Sequence, residues 1–314
     1  MKKSFLVLAL ASAFLFGACQ QNKLKDGPGG LKYQIVKDAG EEKAQAGDML
    51  SISMIIKSDR DSLLTDTYEI GLPQIVNIAP DSIPGLYPGD HNTMFSMLGE
   101  GDSAIFHLDL DTMAAQTGSP KPPFVDSHII FYVKVNKHFK KGDLTDSAHY
   151  EVVNAYFDTQ IENLKNAESG KIENYVSSNN LTTESTSSGL QIVFEEKGTG
   201  VTPTATDTVL VNYTGRLTNG KVFDSSIEEE AMKANIHNPM RTYEPAKFVI
   251  GVGQVIPGWE EGLALAPKGS KFKLIIPSVH AYGEQGDMRG QIPPYSPLVF
   301  DIELIDVIPA TNGN

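Results

Sequence analysis

Cysteine and tryptophan are the rarest residues of this sequence, with one of each in 314 residues. The single cysteine, Cys19, excludes an internal disulfide and argues against a metal site built from thiolates. Positive charge is also scarce, because 26 Lys and Arg stand against 39 Asp and Glu, which gives a formal net charge of −13. With so little positive charge to neutralise phosphates, nucleic acid and anionic lipid headgroups are unfavourable partners.

The N-terminal apolar run covers only residues 4–16, which is too short for a membrane-spanning helix. It follows a basic start, and the two together predict a secretory signal peptide over residues 1–18. The closing Leu15-Phe16-Gly17-Ala18-Cys19 resembles a bacterial lipobox, which implies lipidation of Cys19. We therefore expect a lipid anchor in the cell envelope, and Gln20 favours the outer membrane because it is not an inner-membrane retention aspartate. An ordinary signal peptide with an accidental cysteine is the alternative.

The length of the chain predicts two domains, and changes in composition suggest where they lie. Residues 19–30 are polar and glycine-rich, which predicts a flexible tether. Residues 31–138 contain alternating, β-branched segments typical of strands. Residues 139–188 predict a helical connector and linker, because apolar residues recur there at three- and four-residue steps before a Ser/Thr/Asn-rich stretch. Gly170 is the residue at which we expect this helix to end or to be interrupted.

An internal repeat relates the two halves at a separation of about 160–170 residues. The run Gly30-Leu31-Lys32-Tyr33-Gln34-Ile35-Val36 parallels Gly189-Leu190-Gln191-Ile192-Val193. Further on, Asp48–Met54 parallels Asp207–Tyr213, and Gly101-Asp102-Ser103 parallels Gly269-Ser270-Lys271. The repeat predicts that both halves share one fold.

The most informative residues lie in the second half, at 189–309. They are the segments Tyr213-Thr214-Gly215, Phe223-Asp224-Ser225-Ser226, Val255-Ile256-Pro257-Gly258-Trp259-Glu260-Glu261-Gly262, Ala281-Tyr282-Gly283, Ile292-Pro293-Pro294 and Leu298-Val299-Phe300-Asp301-Ile302-Glu303-Leu304. Together, these segments resemble the FKBP family of peptidyl-prolyl cis–trans isomerases. The resemblance implies an α+β fold in which an antiparallel sheet wraps on one short helix, here starting near Pro257. With the repeat, it implies two FKBP-like domains joined by a helical connector.

By resemblance, an apolar aromatic pocket would accelerate isomerisation of X–Pro bonds without metal or cofactor. Trp259 would form the floor beneath the proline ring. The Tyr282 hydroxyl and the Ile256 N–H would hold substrate carbonyls, and Asp224 would orient the polar network beside the twisted carbonyl. The walls would be formed by Tyr213, Phe223, Val255, Ile256 and Phe300. Ile292 would lie near the rim. Ordinary core packing of these aromatic residues is the competing interpretation.

Three departures from the family pattern stand out. Ala246 occupies a position where the family often has another pocket aromatic, so that wall is open or is filled from elsewhere. The segment 227–245 is longer than in the minimal family domain, and it contains a helical stretch and Arg241, a candidate partner for Asp224. The loop 283–291 varies within the family and sets substrate preference.

The first repeat lacks the residues of the pocket. Aligned on the second repeat, it places Met54, Leu64, Thr65, His91 and Ala114 at the positions of Tyr213, Phe223, Asp224, Trp259 and Tyr282. We therefore expect a catalytically silent domain that serves spacing, client binding or assembly. His91 and His107 are too far apart in sequence, without acidic neighbours at ligand spacing, to predict a metal site.

The leading hypothesis is a membrane-anchored prolyl isomerase that assists folding of envelope proteins, with proline-containing unfolded or flexible polypeptides as partners. A non-catalytic chaperone that grips such partners is one alternative, and an assembly subunit is another. The connector helix packs either on its own chain or in a homodimer.

Overall fold

The structure is a computed structural model that describes residues 23–80, 82–287 and 290–310. The predicted signal peptide and Cys19 lie outside the described residues. The described chain divides into two compact units, the first formed by 23–66 and 73–146 and the second by 67–72 and 147–310.

The first half of the chain contains a sheet and short helices. In order, they are β1 (Lys25–Asp26), β2 (Lys32–Lys37), β3 (Met49–Ser58), β4 (Leu63–Asp66), α1 (Thr67–Ile70), β5 (Gln74–Asn77), α2 (His91–Ser96), β6 (Ser103–Asp109), α3 (Leu110–Thr117) and β7 (His128–Phe139). The strands pair in the order β1-β2-β6-β7-β3-β4, and β5 pairs with β3. In β6, Ala104, Phe106 and Leu108 point into the core while their neighbours are more exposed, which is the alternation predicted for a half-buried strand.

The second half repeats this arrangement after two helices. In order, its elements are α4 (Asp146–Asn166), α5 (Glu168–Ser178), β8 (Glu184–Ser185), β9 (Gln191–Glu196), β10 (Thr208–Leu217), β11 (Val222–Ser225), α6 (Glu228–Lys233), β12 (Ala246–Val249), α7 (Pro257–Leu263), β13 (Lys271–Ile276) and β14 (Leu298–Ile308). The strand order is β11-β10-β14-β13-β9-β8, with β12 paired to β10.

The two sheets therefore share one topology, because each strand of the first has its counterpart in the second. Their irregularities coincide as well. The register of β3 on β7 shifts between Ser51 and Ile52, and that of β10 on β14 shifts between Leu210 and Val211, at equivalent points of the repeat. Every strand pairing among the described residues is antiparallel, and the predicted α+β fold with two related domains is confirmed.

Helix α7 packs closely across the second sheet. It begins at Pro257, whose fixed φ and missing N–H suit the first helical position. Gly258 and Gly262 face β13, where an added Cβ would lie 2.3 Å from Ile276 and 2.4 Å from Leu274. The two glycines therefore let the helix backbone approach the sheet, and this approach brings Trp259 into the core.

The connector helix is broken, but not at the expected residue. The break between α4 and α5 falls at Ala167, and Gly170 continues within α5. The helix α5 is also part of the second unit, because Ile172 packs on Ile275 and Val299 of the sheet. Within the predicted connector over 139–188, α5 therefore packs on its own chain and covers one face of the second sheet.

Two segments predicted to be loops form edge strands. Lys25 and Asp26 pair with Tyr33 and Lys32, so part of the predicted tether 19–30 belongs to the first sheet. In the predicted linker, β8 pairs with β9 in the same way. In both places, a turn ending at a glycine folds the chain back, so the backbone N–H and C=O groups of the sheet edge are paired. Among the residues that the structure describes, no helix combines the length and apolarity needed to cross a membrane.

Candidate active site

The second sheet and α7 enclose a hollow of about 400 Å³, a size typical of small-ligand sites. It lies between β10, β11, β14 and the N-terminal turn of α7. The lining residues are Tyr213, Phe223, Asp224, Phe248, Gly253, Gln254, Val255, Ile256, Trp259, Tyr282 and Phe300. Eight of these eleven residues are aliphatic or aromatic, and Asp224 is the one charged side chain among them.

Trp259 is the centre of an aromatic cluster and is only 3% exposed. The rings of Tyr213 and Phe300 lie edge-on to it, each with a centroid distance of 5.1 Å. Phe248 lies edge-on at 5.6 Å, and Phe223 makes the same kind of contact with Phe300 at 5.6 Å. Edge-to-face packing of aromatic rings is favourable and directional, so each ring holds the next in place and the hollow keeps its shape.

Gly215 makes room for two of these rings. A Cβ at this position would lie 2.5 Å from Cε1 of Phe300 and 2.8 Å from the ring of Phe223. No real side chain fits at such distances. The wall that Phe223 and Phe300 form therefore requires a glycine at position 215.

A polar network occupies one side of the hollow. The Tyr213 hydroxyl donates to Oδ2 of Asp224 at 2.5 Å, and Nη1 of Arg241 donates to Oδ1 at 2.5 Å. Nη2 of Arg241 also donates to the Tyr213 oxygen at 3.2 Å. Burial and the hydrogen bond to Asp224 raise the pKa of Tyr213 to about 12, so its phenol stays protonated at neutral pH. Burial opposes the charge of Arg241, but the bonds to Asp224 and Tyr213 outweigh this and raise the pKa of Arg241.

The segment 227–245 holds Arg241 in this network. After α6, the ring of His237 stacks on Tyr243 at 5.2 Å, and Nε2 of His237 bonds Oε1 of Glu228 at 3.1 Å. The Arg241 guanidinium lies 5.3 Å from the centroid of the Tyr243 ring, a cation–π geometry. The insertion thus supports Arg241 through its contact with Tyr243.

Tyr282 and Ile256 lie at the open side of the hollow. Tyr282 is 42% exposed, and it is carried by a tight turn in which the N–H groups of Ala281 and Gly283 both donate to the Ser278 carbonyl at 2.8 Å. Ile256 caps the start of α7 in an extended conformation. Its N–H has no acceptor within the described ranges, so it is available to a ligand carbonyl.

The structure brings most of the predicted site residues together. Of the nine, eight line the hollow: Tyr213, Phe223, Asp224, Val255, Ile256, Trp259, Tyr282 and Phe300. Ile292, expected near the rim, is instead 4% exposed within the core, and its N–H donates to Asp287 at 2.6 Å. Cys19 lies outside the described residues.

Phe248 is one of the lining residues that sequence reasoning missed. It fills the wall that Ala246 leaves open, by its contact with Trp259. Because residues two apart in a strand share a face, the alternation of β12 already placed Phe248 on the side of Ala246. Gln254 was missed too, and its Oε1 accepts the N–H of Val249 at 2.8 Å, which closes the loop before α7.

The first unit has no equivalent cluster at the corresponding positions. Met54 is buried, but Leu64 is 37% exposed and His91 is exposed on α2. Ile56 takes the place of Gly215, since each faces a phenylalanine of the next strand, Phe131 in the first unit. A β-branched side chain there occupies the space that the aromatic wall uses in the second unit.

Within the described ranges, no group of three or more His, Cys, Asp or Glu side chains is placed to hold a metal ion. The hollow itself contains one carboxylate, Asp224, and this is already bonded to Tyr213 and Arg241. The chemical resources of the site are therefore a largely aromatic and aliphatic lining, two phenols and a paired carboxylate.

Comparison with known proteins gives a family match over residues 200–305, to the model described as FKBP-type peptidyl-prolyl cis-trans isomerase. The matched residues contain the whole lining of the hollow. They leave the first unit, α4 and α5 outside the match.

Individual relatives agree with this match. The chain is 42% identical to an FKBP-type peptidyl-prolyl cis-trans isomerase FkpA of Aeromonas hydrophila over 56% of this chain and 63% of the relative. It is 42% identical to FK506-binding protein 1 of Debaryomyces hansenii over 37% of this chain and 93% of that protein. A crystal structure of FkpA from Escherichia coli is 34% identical with a TM-score of 0.39, covering 54% of this chain and 75% of that one. The chain thus spans a little under two thirds of the bacterial relative from Aeromonas.

Proposed function

This chain belongs to the family of FKBP-type peptidyl-prolyl cis-trans isomerases, and from that premise we propose that its second unit accelerates isomerisation of X–Pro bonds in unfolded or flexible polypeptides. The single observation that carries the proposal is the hollow around Trp259, with four aromatic walls and one paired carboxylate. Its size suits a proline ring with its flanking carbonyls.

The proposed mechanism needs no nucleophile. Rotation about an amide bond is slow because resonance must be broken, with a barrier of about 18–20 kcal/mol. The twisted transition state carries less charge separation than the planar amide. An apolar enclosure therefore favours it over the ground state, and every ~1.36 kcal/mol of this preference gives a tenfold gain in rate.

In this mechanism, the proline ring lies on Trp259, between Phe223 and Phe300. The Ile256 N–H and the Tyr282 hydroxyl donate to substrate carbonyls and fix the chain on either side of the ring. Asp224 lies beside the rotating carbonyl, and its own orientation is fixed by Tyr213 and Arg241. No covalent intermediate and no cofactor take part.

The test is an isomerisation assay on short X–Pro peptides, read by protease coupling or by exchange broadening in NMR. We expect Trp259→Ala to abolish most of the acceleration, and Tyr282→Phe to lower kcat/KM by about tenfold through loss of one carbonyl contact. Tyr68→Phe is the matched control, because Tyr68 lies on α1, is 52% exposed and does not line the hollow. A wild-type chain that leaves the uncatalysed rate unchanged would refute the proposal.

A second candidate is a binding module that grips proline-containing chains without turnover. It is favoured by exposed apolar side chains on the segments bordering the hollow, where Met240 is 91%, Val279 73% and Val252 53% exposed. These residues would hold apolar neighbours of the proline. Saturable peptide binding without acceleration of isomerisation would select this candidate.

For the whole chain, we propose a lipid anchor at Cys19, a place in the cell envelope, and clients among folding envelope proteins. The basis is the signal peptide predicted over residues 1–18 and the resemblance of residues 15–19 to a lipobox. Incorporation of a labelled fatty acid, lost in Cys19→Ser, tests the anchor. The first unit is proposed to be catalytically silent, and the exposed side chains of Tyr150 and Val152 on α4 suit a homodimer contact, which a mass measurement in solution tests.

A further inference from the structure

Glu168, the first residue of α5, contacts the turn that carries Tyr282. Its Oε1 accepts the backbone N–H of Ser278 at 2.5 Å, and its Oε2 accepts the Ser278 hydroxyl at 2.7 Å. Ser278 is only 3% exposed. A carboxylate that accepts two hydrogen bonds from one residue fixes both its position and its rotation, and charged acceptors make the stronger bonds.

Ser278 passes this constraint on to Tyr282. Its carbonyl accepts the N–H groups of Ala281 and Gly283, the two residues on either side of Tyr282. The backbone on both sides of the tyrosine is therefore held by hydrogen bonds to Ser278. A change in the position of Ser278 moves the phenol relative to the hollow.

The helix that bears Glu168 is fixed to the sheet. Ile172, one turn after Glu168, is buried against Ile275 and Val299. These two residues belong to β13 and β14, and β14 also carries Phe300. Glu168 therefore connects the sheet that builds the aromatic wall with the turn that presents the hydroxyl.

We propose that Glu168 is a positioning residue for Tyr282, so that the functional isomerase unit begins at α5 and not at the start of the family match. Residue 168 lies 32 positions before the first matched residue, 200. The proposal rests on the proposed function, because it concerns the same site. Glu168 itself does not line the hollow.

The test is a double-mutant cycle between Glu168 and Tyr282 in the full chain. Glu168→Ala should lower kcat/KM about tenfold and Glu168→Gln about threefold, because glutamine keeps one acceptor for the Ser278 N–H. Glu173→Ala is the control on the same helix, at an exposed position, and should change nothing. In the Tyr282→Phe background, the effect of Glu168→Ala should fall below about twofold, because the hydroxyl that Glu168 positions is already gone.

A purely structural role predicts a different result. The losses from Glu168→Ala and Tyr282→Phe would then multiply, which overturns the proposal, as would full activity of Glu168→Ala. Because Trp259 is the sole tryptophan, its fluorescence reports both folding and peptide binding in every variant. If the wild type fails to accelerate isomerisation, the proposed function is refuted, and the same cycle measured on the affinity for a proline peptide decides the positioning role.

Discussion

Gly215→Ala is the substitution that tests the aromatic hollow most directly. It adds one methyl group, at a site where the added Cβ would lie 2.5 Å from Phe300 and 2.8 Å from Phe223. Ordinary van der Waals contact begins at 3.4 Å, so Phe300 must retreat by about 1 Å. The rings cannot retreat freely, because Phe300 also packs on Trp259 at 5.1 Å.

The magnitude follows from this geometry. Overpacking by one methyl group in a dense core costs about 1–3 kcal/mol of stability. A misplacement of about 1 Å at a site that works by fit costs up to about a hundredfold in rate. We therefore expect kcat/KM to fall by about thirtyfold to a hundredfold, with a loss of stability that leaves the protein folded at 25 °C.

The measurement is the isomerisation assay, with thermal unfolding followed by Trp259 fluorescence. Gly170→Ala is the matched control, since nothing lies within 4 Å of a Cβ there and its site is helical. It should keep full activity and gain about 0.5–1 kcal/mol from helix propensity. A Gly215→Ala protein with unchanged kcat/KM would show that the wall is not a close-fitting surface.

Three further results are expected. Arg241→Leu should lower kcat/KM by about threefold to tenfold in the isomerisation assay, with little effect on stability, because its pair with Asp224 is partly exposed. Asp48→Asn should cost about 1–3 kcal/mol at pH 7 in urea unfolding, because the buried carboxylate accepts three hydrogen bonds. Burial raises the pKa of Asp48, but those bonds outweigh it and lower the pKa overall. The stabilisation by this carboxylate is therefore present above the unfolded-state pKa, near 4, and is lost as the pH falls through the native-state pKa. The stabilities of mutant and wild type should converge in acid. A chain of residues 189–314 should be less stable by about 2–4 kcal/mol than one of residues 168–314 in thermal unfolding, because α5 no longer covers two buried aliphatic side chains and β8 no longer pairs with β9.

Regular elements with strong local signals could be predicted from the sequence. The alternation of Ala104, Phe106 and Leu108 indicated β6, whereas the start of α7 near Pro257 followed from the family resemblance. Such signals reside in side chains that face a core, and they need no knowledge of distant residues.

Edge strands and helix breaks gave no such signal. The strand β8 is two residues long and exposed on both faces, so it is held by backbone hydrogen bonds that side-chain pattern does not record. A glycine such as Gly170 is typical of a helix end, but its backbone is helical here and no atom lies within 4 Å of the Cβ position. A single glycine inside a helix costs only about 1 kcal/mol of stability. The chain therefore continues through it.

At the site, the family resemblance located the residues that pack against one another. It predicted less where the chain departs from the family. The pocket wall at Ala246 is filled by Phe248, which follows two residues later in the same strand and therefore shares its face. Arg241 reaches Asp224 through an insertion whose length gave no indication of its path. Contacts between residues far apart in sequence, such as Glu168 with Ser278, had no sequence signal at all.

The two sheets separate the requirements of the fold from those of the site. Both keep the same strand order and the same register shifts, so these features do not depend on the aromatic residues. Ile56 in the first sheet fills the place of Gly215, and an aromatic residue at Leu64 alone would therefore meet an occupied space. The hollow depends on the missing side chain at Gly215 as much as on its aromatic rings. Because this missing side chain contributes nothing to the pairing of the strands, the hollow can be lost while the fold persists.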